Sequence, residues 1–420
     1  MFPGRISFRQ AISRQIVLGF LALVVLLSTV SCTSHKSSGG KNVQNVEKVG
    51  RASHHELVFL NTAVNAGGYE KPTIWIWSLD TGQIRQIAKG YGATTFTFNN
   101  DGNRFAFLGF PDAEKRDTEK LGNVSKELWL YDLPSGTITQ ITQDLWAAIQ
   151  CHIAWRPGTE DVAVAREAFY RGPRPTKYDE GDGGLWLVNV STGKMTQVIG
   201  DTDSEWPAHC YPKFSLDGSM LASLPYVVDM STGNRRLVLS SPDPWFVNCS
   251  DWEGHTHNLL MGLSHARVDS VDNRVMKSKQ GPGGVWKWEL EKFSNKRQSI
   301  SAFEHGKGIY SMAASHDGKR VAYLSASGLW VRDIEKNSST RLLQPADLHG
   351  FSKISHDIDA YTDTSEYESK LSWSTDDKYI ACSFWSGDLF VIDLVRREVV
   401  HPKTPLSTRF ATWRPVSADK

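Results

Sequence analysis

Two patterns of apolar and polar positions alternate along the chain from residue 56 onward. The first runs aromatic or apolar, then a polar pair, then Asp-Gly or a variant, then an apolar run. It reads "FNNDGNRFAFL" at 98–108, "WRPGTEDVAVA" at 155–165, "FSLDGSMLASL" at 214–224, "ASHDGKRVAYL" at 314–324 and "WSTDDKYIACS" at 373–383. A degraded copy, "CSDWEGHTHNLLMGL", fills 249–263, and a truncated one, "TWRP", stands at 412–415. The second pattern is an alternating run that ends in a polar residue and a turn. Its copies are "IWIWSLDTG" (74–82), "LWLYDLPSG" (128–136), "LWLVNVSTG" (185–193), "YVVDMSTG" (226–233), "VWKWELE" (285–291), "LWVRDIE" (329–335) and "LFVIDL" (389–394). Each pattern occurs seven times.

Period-two runs rich in Val, Ile, Trp and Tyr are strand sequences. The Asp-Gly, Thr-Gly and Ser-Gly pairs between them supply the positive φ that tight hairpins need. Each repeat therefore predicts four antiparallel strands, and a spacing of about 52 residues makes the array a β-propeller. The expected fold is all-β with seven four-stranded blades. Six blades result instead if the compact copy at 214–239 merges with the degraded copy after it. Closure is predicted as well. "RFATWRP" (409–415) reads as a first strand, and "ELVFLNT" (56–62) lacks one in front of it. Joined in one blade, the two segments close the ring and remove an exposed edge.

Asp-Gly before an apolar run, then a Trp- or Tyr-bearing strand ending in Asp and a Gly turn, resembles the repeats of TolB-type propellers of bacterial envelopes. Similar repeats occur in the propeller domains of prolyl-oligopeptidase-like enzymes. The resemblance covers about residues 56–415 and implies the fold. It says little about function, because propellers host unrelated activities.

The segment ahead of the repeats is of a different kind. Arg5, Arg9 and Arg14 precede Ile16–Val30, which carries no charge, and "STVSC" follows. This is the layout of a secretory signal, and it resembles a bacterial lipobox with Thr29 where Leu is usual. It implies a signal peptide over 1–31 and a lipid on Cys32. Ordinary cleavage near Ser31 and an uncleaved anchor are the other readings. Residues 32–55, rich in Ser, Gly and other polar residues, then form a flexible tether, and 56–420 the propeller. Thr33 after the cysteine favours the outer membrane, with the propeller facing the periplasm or the extracellular side.

Composition narrows the function. The 420 residues carry a formal charge of +1, without the basic excess of a nucleic-acid binder. Without residues 1–31, which hold three arginines and no acid, 44 basic residues face 46 acidic ones. No GxSxG, GxxxxGK[ST], GxGxxG or HExxH occurs, so no catalytic residues, metal ligands or cofactor are assigned. Asp80, Asp132, Asp333 and Asp393 recur at the ends of third strands and are expected to cap turns. His255 and His257 in "GHTHN" are expected to be solvated turn residues.

Candidate binding residues come from two observations. Long connections at 112–126, 171–184, 264–284 and 346–369 all elaborate one face, and connections longer than ~12–15 residues are commonly functional. Three successive blades also begin alike, with "DLWAAIQCHIAW", "SEWPAHCYPKF" and "PDPWFVNCSDW". This places Trp146, Trp206 and Trp245 around the channel mouth, with Cys151, His152, His209, Cys210 and Cys249 just inside. Packing, a ligand pocket, a Cys/His metal site and a Cys151–Cys210 disulfide are all compatible with these residues. Arg171 and Arg174 belong to the long-loop face. The expectation is a monomeric, membrane-tethered, non-catalytic scaffold that binds an envelope protein or glycan and no nucleic acid. The alternative is a propeller-type polysaccharide lyase or hydrolase with a site at the channel mouth, with or without a metal.

Overall fold

The computed structural model describes residues 55–61, 73–89, 91–110, 126–143, 145, 147, 152–166, 183–200, 211–224, 226–238, 245–265, 284–289, 297–302, 309–325, 327–348, 370–384, 389–402 and 408–416. They form seven four-stranded antiparallel sheets. The only helical turn among them is a 3-10 turn at Pro345–Asp347. Blade 1 combines Thr408–Trp413 with Glu56–Asn61, Thr73–Ser78 and Ile84–Ala88. From inner to outer strand, blade 2 runs from Thr95–Phe98 to Thr137–Gln140 and blade 3 from Ile153–Trp155 to Met195–Gly200. Blade 4 runs from Lys213–Phe214 to Arg235–Leu237, and blade 5 from Trp245–Trp252 to Arg297–Ala302. Blades 6 and 7 run from Ile309–Ala314 to Ser338–Leu343 and from Lys370–Trp373 to Glu398–Val400. The compact and degraded copies thus build separate sheets, and the blades number seven.

Sequence alternation becomes packing in the expected way. Both faces of a propeller blade meet a neighbour, so second strands are buried throughout, as in Phe105–Leu108 and Val321–Leu324. Outer strands such as Thr137–Gln140 are largely exposed. Seven hydrophobic clusters result, one between each pair of adjacent blades. The cluster joining blades 7 and 1 contains Ala381, Val391, Leu57, Phe59 and Trp413, so the ring is closed by a core like every other junction. Each fully buried Leu, Ile or Phe contributes about 1.5–3 kcal/mol.

Turn chemistry follows the sequence, with one exception. Asp132 accepts from Ser135 N–H (2.9 Å), Asp333 from Lys336 N–H (2.9 Å), and Asp393 from Val395 and Arg396 N–H (2.9 Å each). Asp80 stands at a different position of its turn and holds His55. It lies beyond the strand Thr73–Ser78 and accepts from the His55 backbone N–H, while its carboxylate meets His55 Nδ1 at 2.9 Å. The cap position belongs to Ser78, four residues before Gly82, as Asp132 lies four before Gly136.

The turns between first and second strands also clamp each blade to the next. Arg414 Nε donates to Gly102 O (2.7 Å) from blade 1 to blade 2, and Arg156 Nε donates to Gly218 O (3.0 Å) from blade 3 to blade 4. Both arginines stand in a Trp-Arg-Pro triplet. Arg104 pairs with Glu160 at 2.6 Å between blades 2 and 3. His257 Nε2 meets Asp217 at 3.0 Å between blades 4 and 5, so His257 is a clamp rather than a solvated turn residue. Gly254 and Gly318 make the junction of blades 5 and 6 by backbone approach: a Cβ on Gly254 would lie 2.6 Å from Gly318 Cα. Asp377 accepts from His316 and Asp317 N–H (2.8 and 2.9 Å) between blades 6 and 7. His55 Nε2 reaches Asp376 at 3.2 Å between blades 7 and 1.

Two predictions test this ring. Gly102 has φ +67° and a Cβ there would collide with the Pro415 carbonyl, whereas Gly82 has φ +70° and open space around it. Alanine at Gly82 should cost about 1 kcal/mol through its left-handed backbone alone. Alanine at Gly102 should cost measurably more in urea unfolding, because it also displaces the clamp. The second concerns His55. Burial alone would lower its pKa, but hydrogen bonds to Asp80 and Asp376 outweigh it and raise the value above the usual 6.5. Its stabilisation is therefore complete below pH 6.5 and is lost as pH rises through the raised value. Melting temperatures of His55→Gln should fall less than wild type between about pH 6 and pH 8.

Candidate functional site

The inner strands of all seven blades surround one cavity of about 430 Å³. Its geometry follows from the first sequence pattern. With Trp252 and Trp413 as the leading residues of the degraded and truncated copies, the residues one place before the lead, Thr97, Ala154, Lys213, Asp251, Ala313, Ser372 and Thr412, line the cavity. Three residues before it come Thr95, His152, Tyr211, Cys249, Ser311, Lys370 and Phe410, all but Thr95 among the lining residues. Innermost strands start at the long-loop face, so this second tier is the mouth of the channel.

Main-chain groups on the free edges of the inner strands of blades 3, 4, 6 and 7 are taken up by a neighbouring blade. Thr97 Oγ1 accepts from Trp155 N–H (3.2 Å), Asp251 from Ala314 N–H (3.0 Å) and Ser311 Oγ from Leu371 N–H (3.2 Å). In the opposite sense, Trp252, Trp373 and Trp413 donate their indole N–H groups to the carbonyls of Lys213, Ala313 and Ser372, at 2.9, 2.8 and 2.9 Å. In blades 5, 7 and 1 the leading Trp is thus a latch between blades, whereas Trp155 donates to Thr159 O within its own hairpin (2.8 Å). A buried indole needs such a partner.

The mouth carries a band of rings and one ammonium. Phe410 packs edge-on against Phe96 with centroids 4.8 Å apart. Lys370 Nζ lies 3.3 Å from the centre of the Phe410 ring, a cation–π contact. His152 tilts against Phe410 at 5.3 Å and against Tyr211 at 4.9 Å. Tyr211 remains 48% exposed. Deeper in the wall, Lys213 pairs with Asp251 at 3.1 Å.

Of the residues singled out by sequence, His152 and Cys249 are among those lining the cavity. The thiol of Cys249 is free, and burial pushes its pKa up, as it does for the buried Cys382. Trp245 sits on the strand Trp245–Trp252, opposite His265. Cys32, Trp146, Cys151, Arg171, Arg174, Trp206, His209 and Cys210 lie outside the described residues. Among the described residues no three His, Cys, Asp or Glu side chains converge as a metal site. Tyr211, Lys213, Asp251, Lys370 and Phe410 were not marked by sequence. Their shared signal is position: one or three residues ahead of the pattern's leading residue.

No protein-family model and no curated protein matches the chain. Solved structures do. TolB from Acinetobacter baumannii is 11% identical, with a TM-score of 0.47 over 86% of this chain and 66% of its own. An oligogalacturonate lyase from Vibrio parahaemolyticus is 12% identical, with a TM-score of 0.49 over 74% of this chain and 79% of its own. A GH74 enzyme from Niastella koreensis is 10% identical, with a TM-score of 0.52 over 84% of this chain and 55% of its own. At these identities the likeness is one of propeller fold.

The wall itself is testable. Asp251 is mostly buried and holds both Lys213 and the Ala314 N–H. Asp251→Ala should cost about 1–3 kcal/mol by leaving that N–H without its acceptor. Lys213 is nearly half exposed, so Lys213→Met should cost under about 1 kcal/mol. Denaturant midpoints of the two variants measure the difference.

Proposed function

We propose that this protein is a membrane-tethered, non-catalytic propeller that binds a protein or glycan in the bacterial cell envelope through its long-loop face. In this reading residues 1–31 are a signal peptide, Cys32 carries the lipid and residues 32–55 are the tether. One observation carries the reading. The connections from Gly109 to Glu127, from Arg166 to Gly184, from His265 to Gly284 and from Leu343 to Lys370 all depart from the channel-mouth face. Opposite them, short turns serve the clamps between blades. Chain elaborated on one face of a rigid scaffold is where binding residues concentrate.

Two measurements test the reading. Cys32→Ala should move the protein out of the membrane fraction, and a variant that still sediments with membranes argues against the lipid. Affinity capture from envelope extracts should recover a partner with the wild type and about tenfold less with Arg171→Ala, Arg174→Ala and Trp206→Ala combined. Equal recovery by a folded triple variant would remove the long-loop face from consideration.

A further inference from the structure

We infer that the channel mouth is a binding site for a carboxylate-bearing sugar. The inference rests on the long-loop face being the binding face, and it names the chemistry at its centre. The first consideration is what the wall does not offer. An inner strand is paired on one side only, and such an edge ordinarily recruits an extended peptide through main-chain hydrogen bonds. Here the N–H groups of Trp155, Ala314 and Leu371 are bonded to the preceding blade, and the carbonyls of Lys213, Ala313 and Ser372 to the next one. A peptide strand docking there would have to break those latches.

What the wall does offer is side chains. Ser372 and Thr412 place hydroxyls 3.2 Å apart on the cavity wall. Tyr211, His152 and Phe410 supply ring surface at the mouth, with Tyr211 half exposed. Flat apolar ring faces beside hydroxyl groups match a pyranose, which has C–H faces and a hydroxyl rim. A volume of about 430 Å³ falls in the range of small-molecule sites.

The charge selects an acid. Among the described residues of the wall, the lysines are Lys370 at the mouth and Lys213 deeper in, and the carboxylate is Asp251, engaged by Lys213 and by Ala314 N–H. His152 stands with Lys370 beside the Phe410 ring. His316, at the far end, is held by Asp377. A carboxylate stacked at the mouth would therefore meet Lys370 and His152, with no described acid of the mouth tier to repel it. Uronic acids and N-acetylmuramic acid both present such a carboxylate.

Calorimetric titration of the full-length protein in detergent tests this with four probes: cellobiouronic acid against cellobiose, and N-acetylmuramic acid against N-acetylglucosamine. At least one acid should bind about tenfold tighter than its neutral partner. Preference within the first pair alone assigns a uronate glycan, and within the second alone a muramic sugar. Lys370→Met should abolish the preference and Lys370→Arg should keep it, while Tyr211→Ala should weaken acid and neutral probes alike by about fivefold. Thermal melts confirm that each variant is folded. Equal affinity for acid and neutral probes in the wild type overturns the inference, as does a preference that survives Lys370→Met. Partner capture that persists alongside either result leaves the scaffold reading standing. Loss of capture in the loop variants with acid preference intact bears on capture alone.

Discussion

Blade 1 is assembled from two distant parts of the chain, and every other junction depends on that union. Thr408–Trp413 pairs with Glu56–Asn61 in antiparallel register, Trp413 opposite Leu57 and Phe410 opposite Leu60. At its end Arg414 Nη1 meets Glu56 at 2.6 Å with both side chains buried, and the same guanidinium bonds Gly102 of blade 2. A buried pair of this kind is weak evidence for net stability, since desolvation offsets much of the attraction. Removing one partner is the costly event, because it strands a charge inside the seam. The seam therefore specifies one register, and with it the alignment of all seven inner strands around the cavity.

Three layers of contact then share the work of holding blade to blade. The hydrophobic clusters supply most of the free energy and carry little directional information. The indole-to-carbonyl latches of Trp252, Trp373 and Trp413 fix the heights of three inner strands against the blades before them. The clamps on the turn face use five chemistries over the seven junctions: arginine to carbonyl twice, histidine to carboxylate twice, and arginine to carboxylate, backbone N–H to carboxylate and glycine against glycine once each. Asp217 and Asp376 show how tightly some are held. Burial alone would raise both carboxyl pKa values, yet bonds from Ser215 and His257, and from Ser374 and His55, bring them well below the usual range.

Most of the fold could be read along the chain because its signals are local. Strand alternation, turn residues and repeat spacing each act within a hairpin, and the second pattern falls on the observed third strands at every copy. The roles of His55 and His257 were hidden for the opposite reason. Their partners Asp376 and Asp217 lie 321 and 40 residues away, and no local pattern points from one to the other. The site shows the same division. His152 was visible as part of a repeated Trp-and-Cys opening, whereas Lys370 and Phe410 belong to blades without that opening. Only the closed ring brings them together at one tier.

The break in blade 1 has a further consequence. His55 and Arg414 both lie where a first-to-second-strand turn would otherwise be, on the clamped side of the ring. The described chain therefore enters and leaves the ring on one and the same side, opposite the channel mouth.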